Sequence, residues 1–551
     1  MTLDLRALPA AATTVVVLLA TFLLGVVGAP AVPGVGAAGA AGDATTTAPV
    51  APTAGGAVCV TGASMRAPDA DVLLVAPPAA PVAADGADGA DETTDDATED
   101  ATDDGGVRSR GLVLGLEAPD GGSPRRAVGP VAPGTLVPVP VSPGADGWSW
   151  IGWADHPLLA WQAWRTDSGP GEPRGAVASA CRPADAPVQT VVGLRTTGGE
   201  RALLRLANPF LADATFAVTL VTPTGPVEPI QLRNVSVPAG RRVTVVLNDH
   251  VPEQEDVAAI VTVGAGRLAV EGRQSAIAEL GGVEGVATAA PLTGPQVTWT
   301  LPWLPTGEGV DGAVWILNPA PRPVTVELTV HTADGPTVPV GVEAVDVGPG
   351  ALERIPTADL VTDGTDAVGV TVRSTTSGVL VAGGARYRAD DIARTGLVHV
   401  TASPAPDVRW AVAGVGAPGR TTVLHVVNRA ASEVTPQVLL TTRPTDPDAG
   451  ATQVRVAAPT IAPDAVGRIV LPLAGAATWS AVVEGGPGLV VARTTMGEEV
   501  REPVALAATP ADAWGAVPPV EGGRERVGWV ASLRTPAAAP PVVPGVVPAE
   551  P

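Results

Sequence analysis

Along three stretches of this chain apolar residues alternate with polar or small ones, as in Leu204 and Leu206, or in Val324, Val326, Leu328 and Val330. Period two predicts strands that bury one face. Turn signals separate the runs. Asn208-Pro209, Asn318-Pro319 and Asn428-Arg429 stop one strand, Gly225 or Gly335 the next, and "VPAG" (Val237 to Gly240), "VGPG" (Val347 to Gly350) or "IAPD" (Ile461 to Asp464) another. Proline offers no ladder donor, and the Asn, Gly and Asp residues favour turns. Each stretch then closes in what reads as a hairpin: "VTVGAGRLAV", "VTVRSTTSGVLV" and "AVVEGGPGLVV".

The three asparagines are 110 residues apart, a fixed period that marks tandem modules. A second mark recurs at the junctions: "GVATAAPLTGPQVTW" ends at Trp299, "GLVHVTASPAPDVRW" at Trp410 and "EPVALAATPADAW" at Trp514. One period before Trp299 stands Gln189, behind "GAVASACRPADAPVQ", which has the same shape without the tryptophan. The region before Gln189 therefore reads as a diverged first copy. About seven short strands per copy, with turns every 8 to 12 residues, predict an all-β fold of tandem immunoglobulin-like β-sandwich modules. A propeller blade of about 40 to 50 residues is under half this period.

The layout that follows is a signal peptide or membrane anchor (1–40), a linker (41–57) and a diverged first β module (58–187) with a disordered acidic insert (84–106). Three clearer sandwich modules (188–295, 296–406 and 407–512), C-terminal strands (513–535) and a disordered Pro-rich tail (536–551) complete it. The first segment has Arg6, an apolar run from about Ala10 to Val27, and Ala29-Pro30-Ala31 as a candidate cleavage site. Cleaved, it releases the chain; uncleaved, it approaches the roughly 20 residues that span a bilayer. Either way the rest is expected outside the cytoplasm, at the cell surface or secreted.

Composition adjusts this picture. Gly 65 and Pro 58 disfavour long helices. The net charge of −22 argues against nucleic acid as a partner, because phosphate binding needs clustered cations. Much of the excess sits in Ala84 to Gly106, where Asp95, Asp96, Glu99, Asp100, Asp103 and Asp104 lack the register and internal glycine of a calcium loop. The chain has only two cysteines, Cys59 and Cys181, and an even pair in an exported chain is expected to form a disulfide across a loop of about 120 residues.

A secretion signal, "RGAVASACRP", then strands with "LLRLANP" and further copies of the pattern resemble a family of large secreted or membrane-anchored actinobacterial proteins known by a domain-of-unknown-function label. The resemblance spans about Cys59 to Trp514. It implies export and β architecture, with a tryptophan common near the place of Gln189, where this chain departs. It implies no catalytic residues.

Candidate chemistry is sparse. No lysine occurs, which removes Schiff bases, P-loops and Ser-Lys dyads. The five histidines, His156, His250, His331, His399 and His425, are scattered; His399 and His425 lie in alternating patterns and read as surface or satisfied core residues. A G-x-G-x-x-G match at Gly414, Gly416 and Gly419 is followed by the strand pattern "RTTVLHVV" rather than a helix, against the dinucleotide reading. No G-x-S-x-G elbow is present. Catalytic, cofactor-binding and metal residues are therefore expected to be none, and the protein is expected not to be an enzyme. Trp148, Trp150, Trp153, Trp161 and Trp164 crowd into "GWSWIGWADHPLLAWQAW" and are the candidate ligand-binding residues. Exposed, they would stack on sugar rings; packed inside, each would bury roughly 150 to 250 Å² of core. The expectation drawn from all this is a structural, adhesive or scaffolding protein of the cell envelope. Its expected partners are envelope components or other surface proteins, with glycans as the other possibility and the membrane met through the N-terminal segment. The alternative is a carbohydrate-binding or envelope-glycan assembly accessory using the tryptophans.

Overall fold

The computed structural model describes most of the chain from Ala54 to Pro510; residues 1–53, 76–108 and 511–551, with several short loops, lie outside the described residues. The leader, the acidic insert, the C-terminal strands and the Pro-rich tail read from the sequence fall in those stretches. The described chain is built of antiparallel β-sheets, and its helical segments are single 3-10 turns. No described helix is long and apolar enough to cross a membrane.

Each repeat is a pair of facing sheets. In the second module one sheet runs Gly225–Val227, Ala214–Thr222, Val257–Ala265, Val188–Leu194, and the other Arg242–Val246, Glu200–Ala207, Ala269–Ala276, Gly285–Ala289. Alternation decides what lies between them: Phe216, Val218 and Leu220 meet Leu204 and Leu206 in a buried core. The third module repeats this order with Thr298–Pro305, Ala367–Ser374 and Val324–Thr332 facing Leu352–Pro356, Val310–Leu317, Leu380–Tyr387 and Gly396–Thr401. The first module has its own two four-stranded sheets, and its first strand, Ala54–Cys59, starts inside the stretch read as linker.

The expected closing hairpins are not hairpins. Val257–Ala265 and Ala269–Ala276 pair with different strands in different sheets, and so do Ala367–Ser374 and Leu380–Tyr387. The chain arches from one layer to the other at these turns. In the fourth module the crossing is continuous: Ala476–Gly497 pairs with Asp407–Val415 through its first half and with Arg420–Asn428 through its second. Two runs joined by a glycine turn pattern alike in sequence whether they return along one sheet or cross to the next, so alternation does not distinguish them.

The modules do not hang apart as a string. The last strand of each inner sheet lies against its counterpart in the neighbouring module: Arg174–Ala180 on Gly285–Ala289, that on Gly396–Thr401, that on Val504–Ala507, and the last back on the first. The contacts thus close into a cycle of four. Glycine makes the close approach possible. A Cβ on Gly175 would come within 3.1 Å of the Val286 nitrogen, and one on Gly285 within 2.7 Å of the Leu397 nitrogen. These inner sheets are covered on both faces, so every residue of Ala269–Ala276 is buried, including Glu271, Arg273 and Gln274. Their polar side chains belong to the joints between modules.

Candidate functional site

The repeated asparagines form the same internal clamp three times. Asn318 is wholly buried, and its Nδ2 donates to the carbonyls of Arg322, Val347 and Gly348 at 2.8 to 3.0 Å while Oδ1 accepts from the Ala320 amide. Asn208 and Asn428 bind their own turns in the same way. One side-chain amide thereby ties the turn after the strand to the later Gly or Asp turn. This explains why the mark repeats and assigns it to folding.

The junction tryptophans act alike. Trp299 Nε1 donates to the Val379 carbonyl and Trp410 Nε1 to the Leu489 carbonyl, both at 2.7 Å. Gln189, which stands in the equivalent place, donates from Nε2 to the Leu268 carbonyl at 2.7 Å. The amide keeps the hydrogen bond and gives up the ring.

Gly414, the first glycine of the G-x-G-x-x-G match, lies in the strand Asp407–Val415, and the chain resumes as the strand Arg420–Asn428. It faces Arg493: a Cβ there would overlap the guanidinium and stand 3.0 Å from Trp479. Opposite Leu204, Val314 and Leu424 stand Gly272, Gly383 and Arg493. The second and third modules fill the space over their glycines with Val191 and Leu304, whereas the fourth exchanges the partners, a large residue where the glycine was and a glycine beneath it. Arg493 Nη1 donates to the Ala413 carbonyl at 2.6 Å, and burial pulls the guanidinium pKa down to about 9.

The densest polar cluster lies where the second module meets the third. Arg386 pairs with Glu200 at 2.6 Å and with Asp311 at 3.5 Å; Arg354 pairs with Asp311 at 2.5 Å and with Asp256 at 3.6 Å. Arg195 reaches Glu200, Glu255 and Asp311, and Trp315 Nε1 donates to Asp256 at 2.6 Å. Burial pushes the Glu200 and Asp256 carboxyls above their ordinary values and the Arg386 guanidinium below its own, with the ion pairs opposing each shift. The gap these residues enclose is about 40 Å³, room for a few waters. It is far short of the roughly 300 Å³ or more of an ordinary ligand pocket. Gly193, with φ of +84°, passes close under the Trp315 ring and lets the two modules meet.

Three of the five histidines are buried at joints. His399 Nε2 is 2.7 Å from the Val192 carbonyl of the second module, the His425 ring lies 5.5 Å from Trp303 of the third, and His331 contacts the Asp464 carbonyl of the fourth at 2.7 Å. Burial lowers all three, His331 to about 4 and His425 to about 3. Among the described residues no group of three or more His, Cys, Asp or Glu is placed to hold a metal ion.

Of the residues singled out in the sequence, Cys59 and Cys181 form the disulfide, with 122 residues of separation. It ties the first strand of one sheet to the end of the inner strand of the other. Trp161 is 1% exposed and packs with Leu136, Leu159 and Ala178 of the first module and Ala411, Ala413 and Val482 of the fourth. It is a core residue of the joint that completes the cycle, which takes it out of any exposed stacking platform. Trp148, Trp150 and Trp153 lie in the strand Trp148–Ala154 and Trp164 in Leu159–Asp167; their side chains lie outside the described residues. The sequence reading missed Arg195, Arg354, Arg386 and their carboxylates. Only Arg386 carried a signal, as a charged residue between Ala385 and Tyr387 at the end of the otherwise apolar strand Leu380–Tyr387; Arg195 lies just beyond its strand and Arg354 follows Glu353.

Repeated antiparallel sheet pairs locked through buried polar joints define a multi-module all-β protein. More than half of the chain, residues 154–460, matches one family model, and the chain belongs to that family: a family of unknown function, DUF5719. No curated protein matches it.

Proposed function

We propose that this chain is a non-enzymatic structural, adhesive or scaffolding protein of the cell envelope, exported from an actinobacterial cell and held at the surface or released. On this reading its modules are immunoglobulin-like sandwiches and its partners are other surface proteins or envelope components. The observation that carries the proposal is the use made of buried polar chemistry: the Arg195–Arg354–Arg386 cluster, the three histidines and the repeated asparagines all fasten strands or modules to one another. A protein that holds a surface in place under load needs such cross-fastening. The Cys59–Cys181 bond fits an oxidising compartment and the N-terminal leader pattern fits export.

Fractionation of the native host with crosslinking tests this. The expected result is recovery in the envelope or culture fluid with surface proteins attached; recovery in the cytoplasm, or turnover of a polysaccharide or peptide by the purified chain, overturns it. A glycan array tests the carbohydrate-binding alternative, which gains the field if binding is seen and is lost in a folded Trp148→Ala, Trp164→Ala variant.

A further inference from the structure

His331 sits on Val324–Thr332 of the third module and is fully buried against the fourth. Its two ring nitrogens face different partners. Nδ1 is 2.7 Å from the backbone carbonyl of Asp464, an acceptor only, so Nδ1 carries the proton. Nε2 is 2.8 Å from the Thr371 hydroxyl, itself 3.0 Å from the hydroxyl of Thr300, and 3.2 Å from Nη1 of Arg429. A guanidinium only donates, so Nε2 must accept. The contacts therefore select one tautomer of the neutral ring.

The charged groups facing the ring are Arg429 and Asp464, both from the fourth module. They pair with each other at 2.7 Å, and the Asp464 carbonyl is held toward the ring by a backbone φ of +54°. Nearby, Gly369 of the third module is so close to Val427 of the fourth that a Cβ there would stand 2.8 Å from it. A second proton on the ring would go to Nε2, pointing an N–H at the guanidinium that now donates to it. The hydrogen bond becomes a repulsion between two cations at a ring that is fully buried.

We propose that His331, with Arg429 and Asp464, is an acid-released latch between the third and fourth modules: neutral, it ties them together, and protonated at Nε2 it lets the joint open. The sign follows from the shift. The buried ring titrates at about 4, against about 6.5 once it is exposed to water. The latch is fully engaged above about pH 6.5, weakens as pH falls from there, and is spent by about pH 4. A difference of roughly 2.5 units corresponds to a rise on the order of 100-fold in the opening ratio across that window.

Hydrogen exchange of the full chain between pH 7 and 3.5, corrected for intrinsic rates, reads the opening on both sides of the joint, at Ala367–Ser374 and around Asp464. His331→Asn keeps a donor for the Asp464 carbonyl and cannot titrate; Arg429→Gln removes the cation at Nε2 and leaves the histidine. The expected result is an opening ratio that climbs about 100-fold in the unaltered protein, with most of that climb gone in His331→Asn and a smaller climb in Arg429→Gln. A flat profile in the unaltered protein overturns the latch, as does an equally steep one in Arg429→Gln, which decides the matter if His331→Asn does not fold.

Discussion

Replacing Gly285 by alanine adds one methyl group at the tightest of the inner-strand contacts. The new Cβ would lie 2.7 Å from the Leu397 nitrogen, 3.1 Å from the Gly396 Cα and 3.2 Å from the Gly396 carbonyl carbon. All three are backbone atoms in the next module, so no side-chain end can swing aside. Gly285 is outside the left-handed region, and alanine meets no backbone strain of its own there. In the unfolded chain the substitution removes freedom, which by itself favours the folded state by about 0.4 to 1 kcal/mol. Overpacking costs about 1 to 3 kcal/mol and is expected to win. Gly198→Ala is the matched control, because its Cβ meets nothing within 4 Å and its φ is ordinary. The assay is urea unfolding at neutral pH, with hydrogen exchange followed at Gly396–Thr401. The expected result is an unfolding free energy for Gly285→Ala about 2 kcal/mol below that of Gly198→Ala, read as a lower midpoint at unchanged slope, with faster exchange on the facing strand. Coincident midpoints and unchanged exchange would refute the close inner packing, and with it the cyclic contact between modules.

Two other outcomes are expected. Asn318→Ala takes its partner from the buried Val347 carbonyl and from three partly buried groups, the Arg322 and Gly348 carbonyls and the Ala320 amide, and at about 1 kcal/mol or more for the buried contact and less for the others the third module should lose about 1 to 3 kcal/mol in urea unfolding. Cys59→Ser with Cys181→Ser opens a loop with 122 residues of separation, which chain entropy values at about 4 to 5 kcal/mol. The loss should appear as a lowered midpoint confined to the first module and its joints, and an unchanged midpoint under oxidising conditions would show that the bond constrains little.

The strands and the period were legible because alternation gives a buried face and Asn208, Asn318 and Asn428 recur at one spacing; the cysteine pairing was legible because the chain has only two cysteines. The place of Gln189 was legible as a departure, but only its hydrogen bond to Leu268 shows that the departure keeps half of what tryptophan supplies. What alternation leaves out is which sheet a strand joins next. Hence "VTVGAGRLAV" reads as a return when it is a crossing. The joints were invisible for a related reason. Glu200, Asp256, Glu271 and Arg386 are polar residues, which sequence places in water; Asp256 and Glu271 are buried and Glu200 and Arg386 largely so because a second module covers the face they occupy. The repeated glycines at 175, 285 and 396 were in plain sight, each at the head of a junction segment, yet a glycine signals a close neighbour without saying whose backbone it is.

The mutual contact of the four inner strands has a consequence for how such a protein can change in evolution. An open stack of repeats can lengthen by duplication, because a new unit simply adds at an end. Here a fifth unit would have to wedge between strands that already touch, and deleting the fourth would uncover Trp161. With the contacts already closed on themselves, variety must come instead from the outward loops and the sheet edges.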